Sequence, residues 1–171
     1  YLLIFVGIVV YEQWDGRESE GSWLFQSMRG PTPTPTLGAV SFLADAQAAL
    51  RAGQYDAAMA ALAQVTALDP NNADAMIELA RLHLIFQNVP LSLTEAERAV
   101  ELAPEDPEAL NTLARALNWS NRNSDAVDYA LDALDIDSAN ATTLAVLAEI
   151  YTDEGSWDTA GEYIDQALAA D

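Results

Sequence analysis

All seven basic residues of this 171-residue chain are arginine, and lysine is absent. Five of them, Arg51, Arg81, Arg98, Arg115 and Arg122, lie in the last three-quarters. A guanidinium forks onto a carboxylate through two parallel N–H donors. Arginines brought to one surface therefore recognise acidic side chains or a free peptide C-terminus. Asn118 and Trp119 follow Arg115 closely, and those types grip peptide backbone and an apolar side chain. This is the chemistry of recognition. Catalytic chemistry is poorly supplied: His83 is the single histidine, expected at a buried helix-packing position. No Ser-His-Asp set, phosphate loop or metal-ligand cluster is present. The run Asp128, Asp132, Asp135, Asp137 reads as a solvated face. As a calcium loop, Asp135-Ile136-Asp137-Ser138-Ala139-Asn140 lacks the turn glycine, and Val146 stands where a bidentate Glu is needed. Cysteine is absent, which removes disulfides and thiolate metal sites. No enzyme, cofactor or resident metal is expected.

Net charge narrows the partners. The formal charge is −20, from 27 acidic against 7 basic residues. A nucleic-acid binder needs a basic face to displace counterions, and docking on anionic lipid headgroups needs a basic patch. Both are disfavoured, and other proteins are the expected partners. With 51% hydrophobic residues, the chain has enough apolar surface to fold.

The elements that position these residues follow from a step of 34. Ala46, Ala80, Ala114 and Ala148 fall on it, as do Phe42, Met76, Leu110 and Leu144. So do Leu79, Leu113 and Leu147, then Ala58, Ser92, Ala126 and Ala160, and Pro70 maps onto Pro104. A period of this length marks a solenoid of helix pairs. In the first unit the spacing predicts helix A over about 41–51, a turn at Ala52-Gly53-Gln54, and helix B following Tyr55 and ending near Leu68. Gly53 suits the left-handed residue after a helix, and Pro70 ends the second one. The periodic Ala residues are small where two helices must approach closely.

Gly53-Gln54-Tyr55-Asp56-Ala57-Ala58 with Leu68-Asp69-Pro70-Asn71-Asn72 resembles the tetratricopeptide repeat pattern. Leu79-Ala80 with Ala99-Val100-Glu101-Leu102-Ala103-Pro104 does too, as does Gly155-Ser156-Trp157-Asp158-Thr159-Ala160. Four units are marked out: 39–72, 73–106, 107–140 and 141–171. Departures are Asp45 at an apolar position, Asn121 and Asn123 for the turn Gly and aromatic, and Ser138 for Pro. The resemblance implies an all-α, right-handed solenoid of antiparallel helix pairs, preceded by a hydrophobic N-terminal segment and a Pro/Thr linker.

Family geometry further implies a concave face. It takes Leu43, Ala44, Gln47, Leu50 and Arg51 in the first unit, and Ile77, Glu78, Arg81, Leu84 and Ile85 in the second. The third gives Asn111, Thr112, Arg115, Asn118 and Trp119, and the fourth Ala145, Val146, Glu149, Thr152 and Asp153. Arg51, Ile77, Arg81, Leu84, Asn111, Arg115, Asn118 and Trp119 are the expected partner-binding residues, for an acidic or C-terminal peptide. The competing expectation is that Glu78, Glu149 and Asp153 already pair with those arginines. Some members bind heat-shock chaperone tails through paired Lys, Asn and Arg. Here Leu43 and Gln47 occupy the first-unit positions, so that activity is not expected.

Two regions precede the repeats. Residues 1–11 are apolar throughout, with Leu2, Leu3, Ile4, Phe5, Val6, Ile8, Val9 and Val10 as anchor or assembly residues. About 20 apolar residues span a bilayer, so this run is the end of an anchor helix, an inter-subunit packing element, or local structure. Acidic rather than basic residues follow it, which favours an extracytoplasmic, membrane-tethered or cell-surface location. The chain starts at Tyr1 rather than Met, and the natural polypeptide is expected to extend past both ends. Residues 12–38 form a polar linker containing Pro31-Thr32-Pro33-Thr34-Pro35-Thr36, a stiff polyproline II spacer of roughly 19 Å. The expected function is a tethered, non-catalytic interaction scaffold. The alternative is a structural subunit of an extracellular filament or large assembly, with residues 1–11 joining subunits.

Overall fold

In the computed structural model, which describes residues 37–170, the 34-residue step appears first in the turns. Gly53, Gln87, Asn121 and Gly155 occupy equivalent positions, and all four adopt positive φ, between 57° and 81°. At each, the next residue's N–H reaches back to a carbonyl five residues earlier: Gln54 to Ala49, Asn88 to His83, Arg122 to Leu117 and Ser156 to Tyr151, at 2.7–2.9 Å. This is the Schellman ending of a helix. Asn121 replaces glycine without breaking the pattern because Asn tolerates the left-handed region.

These turns join eight helices among the described residues. They are α1 Leu37–Arg51, α2 Tyr55–Leu68, α3 Ala73–Ile85, α4 Val89–Leu102, α5 Pro107–Trp119, α6 Asn123–Ile136, α7 Ala141–Asp153 and α8 Trp157–Ala170. The units are joined by a second periodic turn. Asn72 N–H donates to Asp69 O, Asp106 N–H to Ala103 O, and Asn140 N–H to Asp137 O, at 3.1–3.2 Å. Pro70 and Pro104 occupy the second position of these turns, where a proline fits. Ser138 takes the same place, and Asp137 before it has φ and ψ close to those of Asp69 and Ala103. Each turn ends on an N-cap: Asn72 Oδ1 accepts from Ala75 N–H, Asp106 Oδ1 from Glu108 N–H and Asn140 Oδ1 from Thr143 N–H, at 2.9–3.0 Å.

Helices pack within a pair (α1 on α2, α3 on α4, α5 on α6, α7 on α8), and each B helix packs on the next A helix. The A helices α3, α5 and α7 also stack directly, whereas the B helices have no comparable packing. The layer therefore curves with the A helices inside. Ala46, Ala80 and Ala114 are completely buried, as are Ala58, Ser92 and Ala126, so the small-residue positions lie at the close approaches expected of them.

Two expectations are adjusted, and the two ends of the described array differ from its middle. Helix α1 begins at Leu37 rather than near Ser41, because Ala39 is buried and Gly38 lies close to the end of α2. A Cβ on Gly38 would sit 3.3 Å from Leu68 Cδ1. His83 is half-buried rather than buried, and its Nδ1 has no hydrogen-bond partner. Asp45 is exposed, whereas Leu79, Leu113 and Leu147 are buried. Those leucines lie under a preceding unit, and no described helix precedes α1. At the other end, Ile164 is exposed while its equivalents Leu62, Ala96 and Ala130 are buried, since no described helix follows α8. The expectations for residues 1–36, including the anchor segment, lie outside the described residues. Among the described residues, no helix is long and apolar enough to cross a membrane.

Ser92 carries a direct prediction. Its hydroxyl is buried without a partner, at a position filled by Ala58, Ala126 and Ala160 in the other units. A buried, unsatisfied polar group costs about 1–3 kcal/mol. Ser92→Ala is therefore expected to raise stability by about 1 kcal/mol in urea unfolding. A loss of stability would mean that the hydroxyl is satisfied in solution.

Candidate functional site

Because the A helices are in register, equal positions of successive units form ladders across the inner face. One ladder runs Gln47, Arg81, Arg115, Glu149. Another runs Arg51, Ile85, Trp119, Asp153, and each of these is the last residue of its A helix. The second ladder forms an edge where four helix C-termini present partial negative charge. Its middle rungs are apolar and open: Ile85 is 60% and Trp119 45% exposed.

A cleft of about 420 Å³ opens between these ladders, lined by Arg81, Leu84, Ile85, Thr112, Arg115, Trp119 and Glu149. Its volume lies within the ~300–1,000 Å³ typical of ligand clefts. Leu84 and Thr112 form the buried floor. Thr112 Oγ1 is occupied, donating to Glu108 O at 2.7 Å. Ile85 and Trp119 supply apolar walls, and the charged groups stand at the rim.

Those charged groups are already paired. Arg81 donates to Glu78 Oε1 at 3.1 Å and to Glu108 Oε2 at 2.8 Å. Arg115 Nε donates to Glu149 Oε2 at 3.2 Å, and Trp119 Nε1 makes a long contact of 3.4 Å to Glu149 Oε1. Asn118 Nδ2 donates to Asp153 Oδ2 at 2.6 Å. The pairs are partly exposed, so each contributes little stability, about 0–1 kcal/mol. They do decide the local charge, because three carboxylates pair with two guanidiniums and a fourth, Asp153, is held by Asn118.

The expected partner-binding residues thus divide. Arg81, Leu84, Arg115 and Trp119 meet at one cleft. Arg51 lies apart from it on α1, with Nε donating to Gln47 O of its own helix at 3.2 Å. Ile77 is buried, packed with Met76, Ala99 and Ala109. Asn111 is 3% exposed and donates through Nδ2 to Thr143 Oγ1 across to α7, at 2.9 Å. Asn118 is 5% exposed and holds Asp153. Ile77, Asn111 and Asn118 are covered because neighbouring helices close over their positions. The expectation that resident acids meet the arginines holds for Glu78 and Glu149, while Asp153 goes to Asn118. Glu108 was outside the implied concave set. Its signal is the turn before α5: an acid in a helix's first turn lies within reach of the preceding A helix, 27 residues back.

Among the described residues, no three of His, Asp or Glu converge to hold a metal ion. Asp128, Asp132, Asp135 and Asp137 are all exposed on α6 and the loop after it.

A family model for the tetratricopeptide repeat matches residues 43–107 and 86–141. No curated protein matches the sequence. Solved structures similar in fold include a thermophilic tetratricopeptide repeat protein of Thermus thermophilus, with a TM-score of 0.72 at 21% identity. That match covers 78% of this chain and 74% of the other. MamA of Desulfovibrio magneticus has a TM-score of 0.67 at 20% identity, over 77% and 75% of the two chains. YrrB, a protein of the same repeat type with an unusual peptide-binding site, has a TM-score of 0.65 at 19% identity, over 77% and 68%.

Proposed function

Because the chain belongs to the tetratricopeptide repeat family, we propose that its helical repeats are a non-catalytic module that holds other proteins. A partner segment would lie across the inner face at α3, α5 and α7. The observation that carries this reading is the cleft itself. Ile85 and Trp119 stand open beside a buried floor, with hydrogen-bonding groups at the rim. Exposed large apolar side chains around a preformed cleft are a feature of binding sites, and Trp is enriched among binding hot spots.

The test uses the full chain. A random peptide library would be selected against it, and the selected peptides measured on two variants. Trp119→Ala removes the cleft wall, while Trp157→Ala removes an exposed Trp of α8 outside the cleft. Loss of a hot-spot Trp costs about 2 kcal/mol or more, so Trp119→Ala is expected to weaken binding by roughly 30-fold. Trp157→Ala is expected to leave it unchanged. The reverse pattern, or no selected peptide at all, would overturn this reading.

The tether extends the same proposal. Residues 1–11 would hold the module at a membrane or cell surface, outside the cytoplasm, on the strength of their unbroken apolar run and the acidic residues after it. A structural subunit of a filament or large assembly is the second reading. It is favoured by α8, whose Ile164 and Leu168 are exposed where the equivalents in earlier units are buried or half-buried. Exposed Asp45 on α1 weighs against simple head-to-tail stacking of copies, since it would replace a buried Leu. Light scattering with and without mild detergent separates the two. A small particle dispersed only by detergent supports the tether; a large one surviving detergent supports the assembly.

A further inference from the structure

We infer that the cleft selects a partner segment carrying a bulky apolar side chain next to a basic residue, and discriminates against acidic segments and free C-termini. This rests on the peptide-binding reading above and gives that site its specificity. Counting arginines alone points the other way, toward an acidic ligand. The geometry reverses it.

Three observations carry the inference. First, the guanidiniums of the cleft have partners, Arg81 with both Glu78 and Glu108, and Arg115 with Glu149. An acidic ligand meets guanidiniums whose charge is already balanced, and it comes close to the resident carboxylates Glu78, Glu108 and Glu149. Second, a surplus of carboxylate lies beside the apolar walls. Glu149 lines the cleft at Trp119, and Asp153 is held at the adjacent edge by Asn118. Asn118 is buried and fixed, so Asp153 is a positioned acceptor rather than a freely swinging one. Third, α3, α5 and α7 end at Ile85, Trp119 and Asp153, and their C-terminal partial charges add to the negative potential there. A cation seated here meets two carboxylates and the Trp119 ring, whose face attracts it. The overall charge of −20 favours its approach and repels an acidic competitor.

The experiment measures fluorescence anisotropy of labelled, terminally blocked nine-residue peptides on the full chain. One has a central Phe followed by two Arg, and a second has Glu in place of both Arg. A third keeps the two Arg with Ser for Phe, and a fourth is acidic with a free C-terminus. The Phe-Arg-Arg peptide is expected to bind at least about tenfold more tightly than each of the others. The double substitution Glu149→Gln with Asp153→Asn should weaken it about tenfold and flatten its salt dependence. Asp128→Asn with Asp132→Asn, which removes the same charge from α6 away from the cleft, should change it less than twofold.

Preference for either acidic peptide would overturn the inference and leave the peptide-binding reading intact. Equal loss with the α6 pair, or equal binding of the Ser-containing peptide, would reduce the effect to general attraction and also overturn it. If no peptide responds to Trp119→Ala, or none binds, the peptide-binding reading itself falls and takes this inference with it.

Discussion

Leu117→Ala is expected to lower stability by about 2–5 kcal/mol, the range for emptying a leucine site in a tight core. Leu117 is 1% exposed and belongs to a cluster with Leu84, Leu113, Ala126, Ala130, Val146, Leu147 and Ile150. That cluster ties α3 to α7. A separate cluster, built from Ala46, Ala58, Leu62, Val65, Ala75, Leu79 and Leu82, holds α1 and α2 against α3. In a solenoid each unit is stabilised by itself and its neighbours, so damage stays partly local. The substitution should therefore broaden or split the urea transition as well as shift it. Hydrogen exchange is the sharper measurement: amides of α5 to α7 should lose protection while those of α1 and α2 keep most of theirs. A uniform loss over all units would show that the array unfolds as one block.

The division between what was legible and what was not follows the range of each signal. Helix pairing, turn positions and close-packed alanines repeat every 34 residues, and each is enforced locally. A left-handed turn residue ends helix A, a β-turn and N-cap start the next unit, and a small side chain lies where helices meet. Hence α2, Tyr55–Leu68, was legible to within about a residue from one unit's residues. The start of α1 was not, because Gly38 is a poor helix former shortly after a Pro/Thr run and lies close against the end of α2.

Residues of the site illustrate the same limit. Arg81, Leu84, Arg115 and Trp119 meet at the cleft because the period puts them in register. Whether an inner-face residue is open depends on the neighbouring A helix, which no single unit contains. Ile77 and Asn111 are covered in this way, whereas Ile85 and Trp119, at their helix ends, are not. Counting charges also does not show which of them are partnered. Glu108, from the following unit, pairs with Arg81 across 27 residues, and no single unit contains that pair.

Ala114→Leu distinguishes two physical reasons for the periodic alanines. Ala is the best helix former, but Leu is only a few tenths of a kcal/mol worse. If propensity alone kept Ala at this position, the substitution would be nearly neutral. Close packing predicts otherwise. Ala114 is fully buried within the same cluster as Ala80, Ala126 and Ala130, and a leucine there adds three heavy atoms where the helices meet. Overpacking of this kind costs about 1–3 kcal/mol, and the strain has two outlets. Either α5 moves away from α6, or it moves against α3 and α7. The second displaces Arg115 and Trp119, one and five positions along the same helix, and should weaken peptide binding at the cleft together with stability. Urea unfolding and the peptide anisotropy assay, run on the same sample, tell the outlets apart. Lost stability with unchanged affinity places the relief between α5 and α6. Loss of both places it across the A-helix layer, and loss of neither means that close approach is not what keeps this residue small.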